Sequence, residues 1–193
     1  MTIELKGNWK KGFALDLHTE SSTYCGPDEF GHDRFTTKRT EIGEYVYKLK
    51  YQSDLSVLPK IVSTITSRIS NISTVDFIVP VPPSNPSRKF QPVIEVAYAL
   101  GKNVKVSVLP DAVIKTKRTP ELKNVSDPTE REKILSDAFT ISSEYNFRSK
   151  NILLIDDLYR SGATLRTITK ALYVQGKAKN VFVITLTKTR SNR

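Results

Sequence analysis

The chain has 193 residues, of which 38% are hydrophobic, and this size and composition fit one folded domain rather than two unrelated domains or a disordered chain. No apolar run approaches the roughly 18 residues that cross a bilayer, and the first residues lack the apolar segment of a signal peptide. We therefore expect a cytoplasmic protein with no membrane partner. The single cysteine, Cys25, excludes an intrachain disulfide and a cysteine-cluster zinc site.

The formal net charge of +10 results from 30 Lys and Arg residues against 20 Asp and Glu residues. This excess favours an anionic partner, but it does not distinguish a polyphosphate metabolite from nucleic acid. The basic residues are spread along the chain instead of forming one tract. A solvated basic surface without a specific partner is therefore equally compatible with the composition.

The N-terminal third of the chain is predicted to contain one strand, a long loop and two helices. Alternating apolar residues predict a half-buried strand over residues 12–19, and the polar stretch 20–37 predicts a loop. Apolar residues at helical spacing predict helices around 42–49 and 58–69, the second following a possible cap at Asp54. We expect this region to lie against or over the rest of the molecule as a hood.

From residue 75 onward, the pattern alternates between strands and helices. The predicted strands cover 75–82, 104–108, 138–141, 151–156 and 181–186, and the predicted helices cover 90–100 with a stop at Gly101, a segment that begins at Asp127, and 163–174. Strands that are buried on both faces and separated by helix-length segments predict an α/β fold with a mostly parallel sheet flanked by helices. We therefore divide the chain into a hood region, 1–74, and an α/β core, 75–193.

The segment most informative about chemistry is 152–164, where an apolar strand leads to Asp156 and Asp157 and then to the turn 161–164 that begins a helix. Ligands of open α/β sheets bind at the carboxyl ends of strands, and two adjacent acids cannot both be buried unpaired. The start of a helix offers backbone N–H groups and a positive dipole end to a phosphate. The segment therefore predicts one ligand, such as ribose 5-phosphate, whose hydroxyls or cation meet the acids and whose phosphate meets the turn. The structural alternative is a strand before a capped helix, with solvated acids.

Residues 152–164 resemble the phosphoribosyl pyrophosphate (PRPP) signature of the type I phosphoribosyltransferases. The resemblance implies that Asp156 and Asp157 are catalytic residues that bind the ribose hydroxyls. It implies that the 5-phosphate is held by Arg160, Ser161, Gly162, Ala163 and Thr164. The implied reaction is Mg²⁺-dependent transfer of a phosphoribosyl group with release of pyrophosphate, through a transition state that resembles an oxocarbenium ion. Mg²⁺ would lie beside Asp156 and Asp157, bound directly or through water.

Further landmarks are similar to the ComF-like branch of these proteins, which is associated with competence for DNA uptake. These landmarks are Val79-Pro80-Val81-Pro82, Arg88-Lys89-Phe90-Gln91, Thr119-Pro120-Glu121-Leu122, Arg131 and Ala138-Phe139. The resemblance places pyrophosphate binding on Pro83, Ser84, Arg88 and Lys89, and a mobile loop over the ligand on Lys117, Arg118 and Arg131. The chain departs from this branch in two ways: it has Arg-Lys-Phe-Gln-Pro where Arg-Gly-Phe-Asn-Gln is common, and it lacks a four-cysteine zinc finger.

Three functions stay open: a phosphoribosyltransferase with an unidentified acceptor, a non-catalytic PRPP or nucleotide sensor, and an accessory protein in DNA uptake that binds nucleic acid weakly. The motif gives no general base, since His18 and His32 are each expected to make a local hydrogen bond. Tyr45 is expected to pack in the core with Lys48 and Lys50 solvated around it. The oligomeric state also stays open.

Overall fold

A computed structural model describes residues 2–87, 90–116 and 138–190. Its strands, in chain order, are β1 (Ile3–Glu4), β2 (Lys11–Leu17), β3 (Thr19–Pro27), β4 (Asp33–Arg39), β5 (Phe77–Pro80), β6 (Ser107–Val108), β7 (Val113–Lys115), β8 (Phe139–Ile141), β9 (Asn151–Tyr159) and β10 (Asn180–Lys188). Six of them form a central sheet in the order β1-β2-β10-β9-β5-β6, and every pair in it is parallel except β1 with β2. The predicted mostly parallel sheet flanked by helices is confirmed.

Four helices lie within the described ranges: α1 (Glu41–Gln52), α2 (Leu58–Arg68), α3 (Pro92–Val104) and α4 (Ala163–Val174). Thr40 caps α1, because its side-chain oxygen accepts the backbone N–H of Gly43 at 3.1 Å. Asp54 caps a short 3-10 turn, Leu55–Val57, that leads directly into α2. None of these helices is long and apolar enough to cross a bilayer.

Both faces of the sheet are buried, and each face has its own apolar cluster. The face covered by α4 packs Ile152, Leu154, Val181, Val183, Leu165, Ile168 and Leu172 together. The face covered by α1, α2 and α3 packs Leu153, Ile155, Ile184, Leu186, Leu49, Ile61 and Leu100 together. Because side chains alternate along a strand, consecutive residues of β9 and β10 contribute to opposite clusters. This burial on both faces explains why the two strands are nearly continuous apolar runs in the sequence.

Residues 20–37 were predicted as a loop, but they form most of an antiparallel hairpin of β3 and β4, so this prediction was wrong. The hairpin is largely exposed on both faces, and for that reason its sequence lacks the apolar alternation that marks a half-buried strand. Tyr24 and Phe35 face each other across the pair with ring centroids 5.4 Å apart. The Asp28 side chain accepts two backbone N–H groups in the turn. Cross-strand pairing and turn hydrogen bonds therefore define this element.

The N-terminal region also contributes to the central sheet. β2 pairs in parallel with β10, and β1 extends the edge beyond β2. Residues before 75 therefore add strands to the sheet, while α1 and α2 cover one of its faces.

Gly101 lies inside α3 and does not end it, which corrects the prediction of a helix stop there. The helix continues to Val104 and ends at Lys105, whose φ of 58° is left-handed. A Cβ added at Gly101 would lie 2.7 Å from the Val106 carbonyl oxygen and 2.4 Å from a methyl carbon of Val108. Glycine is therefore required here because the chain returns closely over the helix.

Two further differences lie beside α3. The predicted strand 104–108 is reduced to β6, because residue 104 still belongs to the helix. The strand β7 was not predicted, and it pairs antiparallel with β8, which matches the predicted strand at 138–141. The predicted helix that begins at Asp127 lies outside the described residues.

Candidate functional site

The site is organised around β9, the strand that lies between β5 and β10 in the sheet. Residues 152–155 are buried, and Asp156 and Asp157 follow in the carboxyl half of the strand, where they are partly buried. The strand continues past its predicted end to Tyr159, because its last residues still pair with β10. The two acids are neighbours on an extended strand, so their side chains point to opposite faces of the sheet.

Asp156 lies on the face of the sheet that α4 covers. Its Oδ1 accepts the backbone N–H of Asp157 at 2.8 Å. Burial, and after it the negative charge of the Asp157 carboxylate, raise the pKa of Asp156 well above its ordinary value, and Lys50 acts in the opposite direction. A ligand that brings hydroxyl donors or positive charge to this carboxylate would offset the cost of its ionisation.

Asp157 lies on the opposite face and forms an ion pair with Lys50, with 2.6 Å between Nζ and Oδ2. Lys50 belongs to the last turn of α1 and is separated from Asp157 by 107 positions in the chain. The expectation of a solvated Lys50 was therefore wrong. Its sequence position next to the buried Leu49 places it at the margin of the buried helix face, but this signal does not identify the partner.

The backbone carbonyl of Asp157 accepts a hydrogen bond from a side chain of the neighbouring strand, β10. The Thr187 hydroxyl on β10 donates to the Asp157 carbonyl oxygen at 3.1 Å and lies 3.1 Å from Nδ1 of His18. A hydroxyl has one hydrogen to donate, so Nδ1 of His18 carries the hydrogen that Thr187 accepts. Burial, followed by the charge of Arg39, lowers the pKa of His18, which favours the neutral imidazole. His18 therefore makes a hydrogen bond, but to a residue 169 positions away instead of a local one, whereas His32 pairs locally with Asp28 in the hairpin.

The turn between β9 and α4 depends on Gly162, the residue that precedes the helix. Its φ of +74° is left-handed, and an added Cβ would lie 2.6 Å from the ring of Tyr159. The N-cap residue of α4 is Gly162, which has no side chain, and the Ser161 hydroxyl before it accepts the backbone N–H of Ala163 at 3.4 Å. At such a helix start, the backbone N–H groups of the first turn can bind an anion that approaches over the glycine.

A cavity of about 300 Å³ joins this motif to the loop that follows β5. Asp156, Asp157 and Thr164 line one side of it, and residues 81–85 line another. The backbone N–H of Val81 donates to the carbonyl of Ile155 at 2.9 Å, which fixes the start of this loop against β9. The remaining lining residues are Lys50, Gln91, Pro92, Val93, Ile94, Lys115 and Phe139.

The residues predicted for the site fall into three groups. The cavity brings together Asp156, Asp157, Thr164, Pro83 and Ser84. Four residues, Arg160, Ser161, Gly162 and Ala163, form the adjoining turn or the first residue of α4 and do not line the cavity. The other five, Arg88, Lys89, Lys117, Arg118 and Arg131, lie outside the described residues.

Sequence reasoning missed three polar residues of the cavity: Lys50, Asn85 and Gln91. Asn85 and Gln91 interact with each other, since the Gln91 amide donates to the Asn85 carbonyl oxygen at 3.0 Å. Both residues follow the first core strand closely. The expected ligand-binding loop at that position could therefore have predicted them as part of the site. Lys50 carried no such signal, because it reaches the cavity from a helix that is distant in the chain. Lys115 also lines the cavity, and it is the first residue of the charged segment 115–131 that the resemblance assigns to a loop over the ligand.

No protein-family model matches this chain, and no curated protein matches it either. Among solved structures, the glutamine PRPP amidotransferase from B. subtilis has a TM-score of 0.52 and 16% identity over 82% of this chain and 34% of its own. A structure described as the allosteric regulatory enzyme of purine biosynthesis has a TM-score of 0.51 and 16% identity over the same shares. An adenine phosphoribosyltransferase from Thermoanaerobacter pseudethanolicus has a TM-score of 0.47 and 14% identity over 86% of this chain and 95% of its own.

The chain spans about a third of the length of the first two proteins. At these identities the likeness concerns the fold, and the fold is that of the type I phosphoribosyltransferases.

Proposed function

We propose that this protein binds PRPP and transfers its phosphoribosyl group to an acceptor, with release of pyrophosphate. The observation that supports this function best is the shared cavity, in which the acid pair of β9, the start of α4 and the loop after β5 meet. Carboxylates suit sugar hydroxyls, and the start of a helix suits a phosphate. The separation of these features by a single turn fits the two ends of one ribose 5-phosphate.

In this proposal Asp156 and Asp157 accept hydrogen bonds from the two ribose hydroxyls and so fix the sugar ring. The 5-phosphate is held by residues 160–164, and Gly162 allows the backbone to approach it without a side chain in between. The fixed ring places the anomeric carbon in the cavity, towards the loop 81–85. Positioning of this kind supports catalysis because the reacting centre is held before bond breaking begins.

Bond breaking would develop positive charge on the ribose and negative charge on the departing pyrophosphate. We assign the pyrophosphate end to the loop after β5, with Pro83 and Ser84, and to the basic residues Arg88 and Lys89 that follow. Electrostatic stabilisation of the leaving group is then the main catalytic contribution. The basic residues Lys117, Arg118 and Arg131 keep their assignment to a loop that covers the ligand and excludes water.

The donor set of the cavity is compatible with Mg²⁺. Asp156 and Asp157 are the carboxylates that line the cavity. The described ranges hold no group of three or more His, Cys, Asp and Glu side chains that could bind a metal ion. Mg²⁺ is commonly held by one or two carboxylates together with substrate phosphates. When bound with PRPP, it would neutralise charge on the leaving pyrophosphate.

We assign residues 1–74 to the hood that covers the site, and we place recognition of the acceptor in this region. α1 supports this assignment because Lys50 reaches the cavity from it. Membership in the ComF-like branch, with its link to DNA uptake, is supported by the sequence landmarks around β5 and β8.

The decisive experiment measures pyrophosphate release from PRPP with Mg²⁺, against a panel of purine bases, pyrimidine bases and amines. We expect release with at least one acceptor and its loss in the Asp156→Asn/Asp157→Asn variant. Binding of PRPP without release for any acceptor would favour a sensor. Tight DNA binding near 150 mM salt that is lost in a Gly162→Val/Thr164→Val variant would contradict the enzyme, because nucleic acid would then occupy the cavity.

A further inference from the structure

The ion pair between Lys50 and Asp157 lies inside the cavity, and it connects the N-terminal helix α1 to the acid pair. Its two charged atoms are 2.6 Å apart, and the Lys50 and Asp157 side chains are 32% and 16% exposed. Both residues line the cavity. A ligand that enters therefore meets a carboxylate whose charge is already compensated by a lysine 107 positions away in the chain.

The backbone of Lys50 is held in place by the packing of α1. Ile42, Val46 and Leu49 are buried against the sheet, and Thr40 caps the helix start. Gly43 approaches the His18 carbonyl so closely that an added Cβ would lie 2.1 Å from its oxygen. These contacts fix where the lysine stem begins, so the ammonium group reaches Asp157 from a fixed helix.

The charges in the cavity determine which ligands it favours. Two adjacent carboxylates alone are hard oxygen donors that attract a divalent cation and repel a polyphosphate. Lys50 occupies one carboxylate oxygen and brings a positive charge beside the pair. A carboxylate has about four lone-pair sites, so Asp157 keeps acceptor capacity for a hydroxyl while it binds the ammonium group.

We infer that Lys50 is a positioning residue that makes the acid pair select the hydroxyls of an anionic sugar phosphate over a free divalent cation. The sugar-phosphate half of this inference rests on the proposed function, whereas the cation half rests only on the ion pair. Lys50 acts through Asp157, because it holds that carboxylate and compensates its charge. Without Lys50, the same two acids become a better site for a bare cation and a poorer one for a polyanion.

Three variants isolate this role. Lys50→Met removes the charge and keeps most of the apolar stem, and Lys50→Arg keeps a cation on a side chain of different geometry. Lys48→Met is the matched control, since Lys48 lies on the same helix, two positions earlier, and does not line the cavity. Thermal unfolding verifies that each variant is folded, and Lys50→Gln replaces Lys50→Met if the latter does not fold.

The first measurement is a titration with Mn²⁺ alone, followed by electron paramagnetic resonance of the free ion. Removal of a positive charge beside two carboxylates should tighten Mn²⁺ binding by about tenfold or more in Lys50→Met. Lys50→Arg and Lys48→Met should bind Mn²⁺ as the wild type does. An unchanged Mn²⁺ affinity in Lys50→Met, or an equal gain in Lys48→Met, would overturn the inference.

The second measurement is calorimetric titration with PRPP and with ribose 5-phosphate in the absence of metal. We expect Lys50→Met to weaken both by about tenfold and Lys50→Arg to stay within about threefold of the wild type. Unchanged sugar-phosphate affinity in Lys50→Met would overturn the selection role. If the wild type binds neither ligand, the proposed function fails, and the Mn²⁺ titration still decides whether Lys50 protects the acid pair from a cation.

Discussion

The neighbouring acids Asp156 and Asp157 lie on opposite faces of the central sheet and have different surroundings. On the face covered by α4, Asp156 shares the cavity with Thr164, which follows eight positions later in the first turn of α4. On the face covered by α1, Asp157 pairs with Lys50 of a distant helix. One face is thus a local motif, and the other is assembled from distant parts of the chain.

The energetic consequences of the two environments are opposite. The Asp156 carboxylate is placed where burial and a neighbouring negative charge oppose its ionisation. The Asp157 carboxylate has a cation at 2.6 Å. The same residue type therefore costs stability on one face and contributes stability on the other, as is typical of sites in which function and stability compete.

The largest expected effect is on ligand binding when both faces are altered together. Asp156→Asn/Asp157→Asn should weaken PRPP binding by about 100-fold or more, because amides replace carboxylates as acceptors for two hydroxyls. Calorimetric titration measures the loss, and circular dichroism verifies that the fold is kept. The control is Glu144→Gln, the same chemical change at an exposed position away from the cavity. Unchanged PRPP affinity in the double variant would remove the acid pair from the site.

Gly162, before α4, and Gly26, in the hairpin, both have a left-handed backbone, and we expect stability to depend more on Gly162. Gly162→Ala should lower the free energy of unfolding by about 2–3 kcal/mol, since backbone strain adds to a clash with the Tyr159 ring at 2.6 Å. Gly26→Ala should cost only about 1 kcal/mol, because its φ is +83° but no atom lies within 4 Å of the added Cβ. Urea unfolding measures both. Equal losses would show that the contact with Tyr159 contributes nothing.

Single replacements of the acids should change stability in opposite directions at neutral pH. In the folded protein Asp156 binds its proton more tightly than in the unfolded chain, because its pKa is raised. This contribution to stability is complete below the unfolded pKa, about 3.9, and is lost as the pH rises through the raised folded pKa. Asp156→Asn should therefore stabilise the protein by about 0.5–2 kcal/mol at the alkaline end, and this gain should disappear near pH 3.

Asp157→Asn should instead destabilise the protein by about 1 kcal/mol at pH 7, since it breaks the ion pair with Lys50. Urea unfolding of both single variants across the pH range measures the two effects. A loss of stability in Asp156→Asn that persists at alkaline pH would contradict the difference between the faces.

The smallest expected effect compares two fully buried threonines of β10, Thr185 and Thr187. Thr187→Val removes a hydroxyl that bonds the Asp157 backbone and His18, so it should cost about 1 kcal/mol. Thr185 pairs in register with Asp156, and its hydroxyl has no hydrogen-bond partner among the described residues. Thr185→Val should therefore be neutral or slightly stabilising. A larger loss in Thr185→Val than in Thr187→Val, measured by thermal unfolding, would reverse this assignment.

The elements that the sequence predicted correctly share one property, which is burial on a regular face. Helix α4 was predicted with its bounds, 163–174, because Leu165, Ile168 and Leu172 recur at helical spacing and are all buried. Strand β9 was predicted from its apolar run, although its last three residues were missed because the acids interrupt that run. The hairpin of β3 and β4 was missed because exposed strands leave no apolar pattern.

The sequence by itself determined the local half of the candidate site: the strand that leads to Asp156 and Asp157, the glycine turn and the helix that follows. Local order along the chain fixes these parts, since a few consecutive residues carry both the burial pattern and the chemistry. Only the tertiary structure decided that Lys50, from a helix 107 positions away, shares a cavity with the acids. This contact depends on strand order and on helix packing across the sheet. The sequence does not show which residues far apart in the chain come together in space.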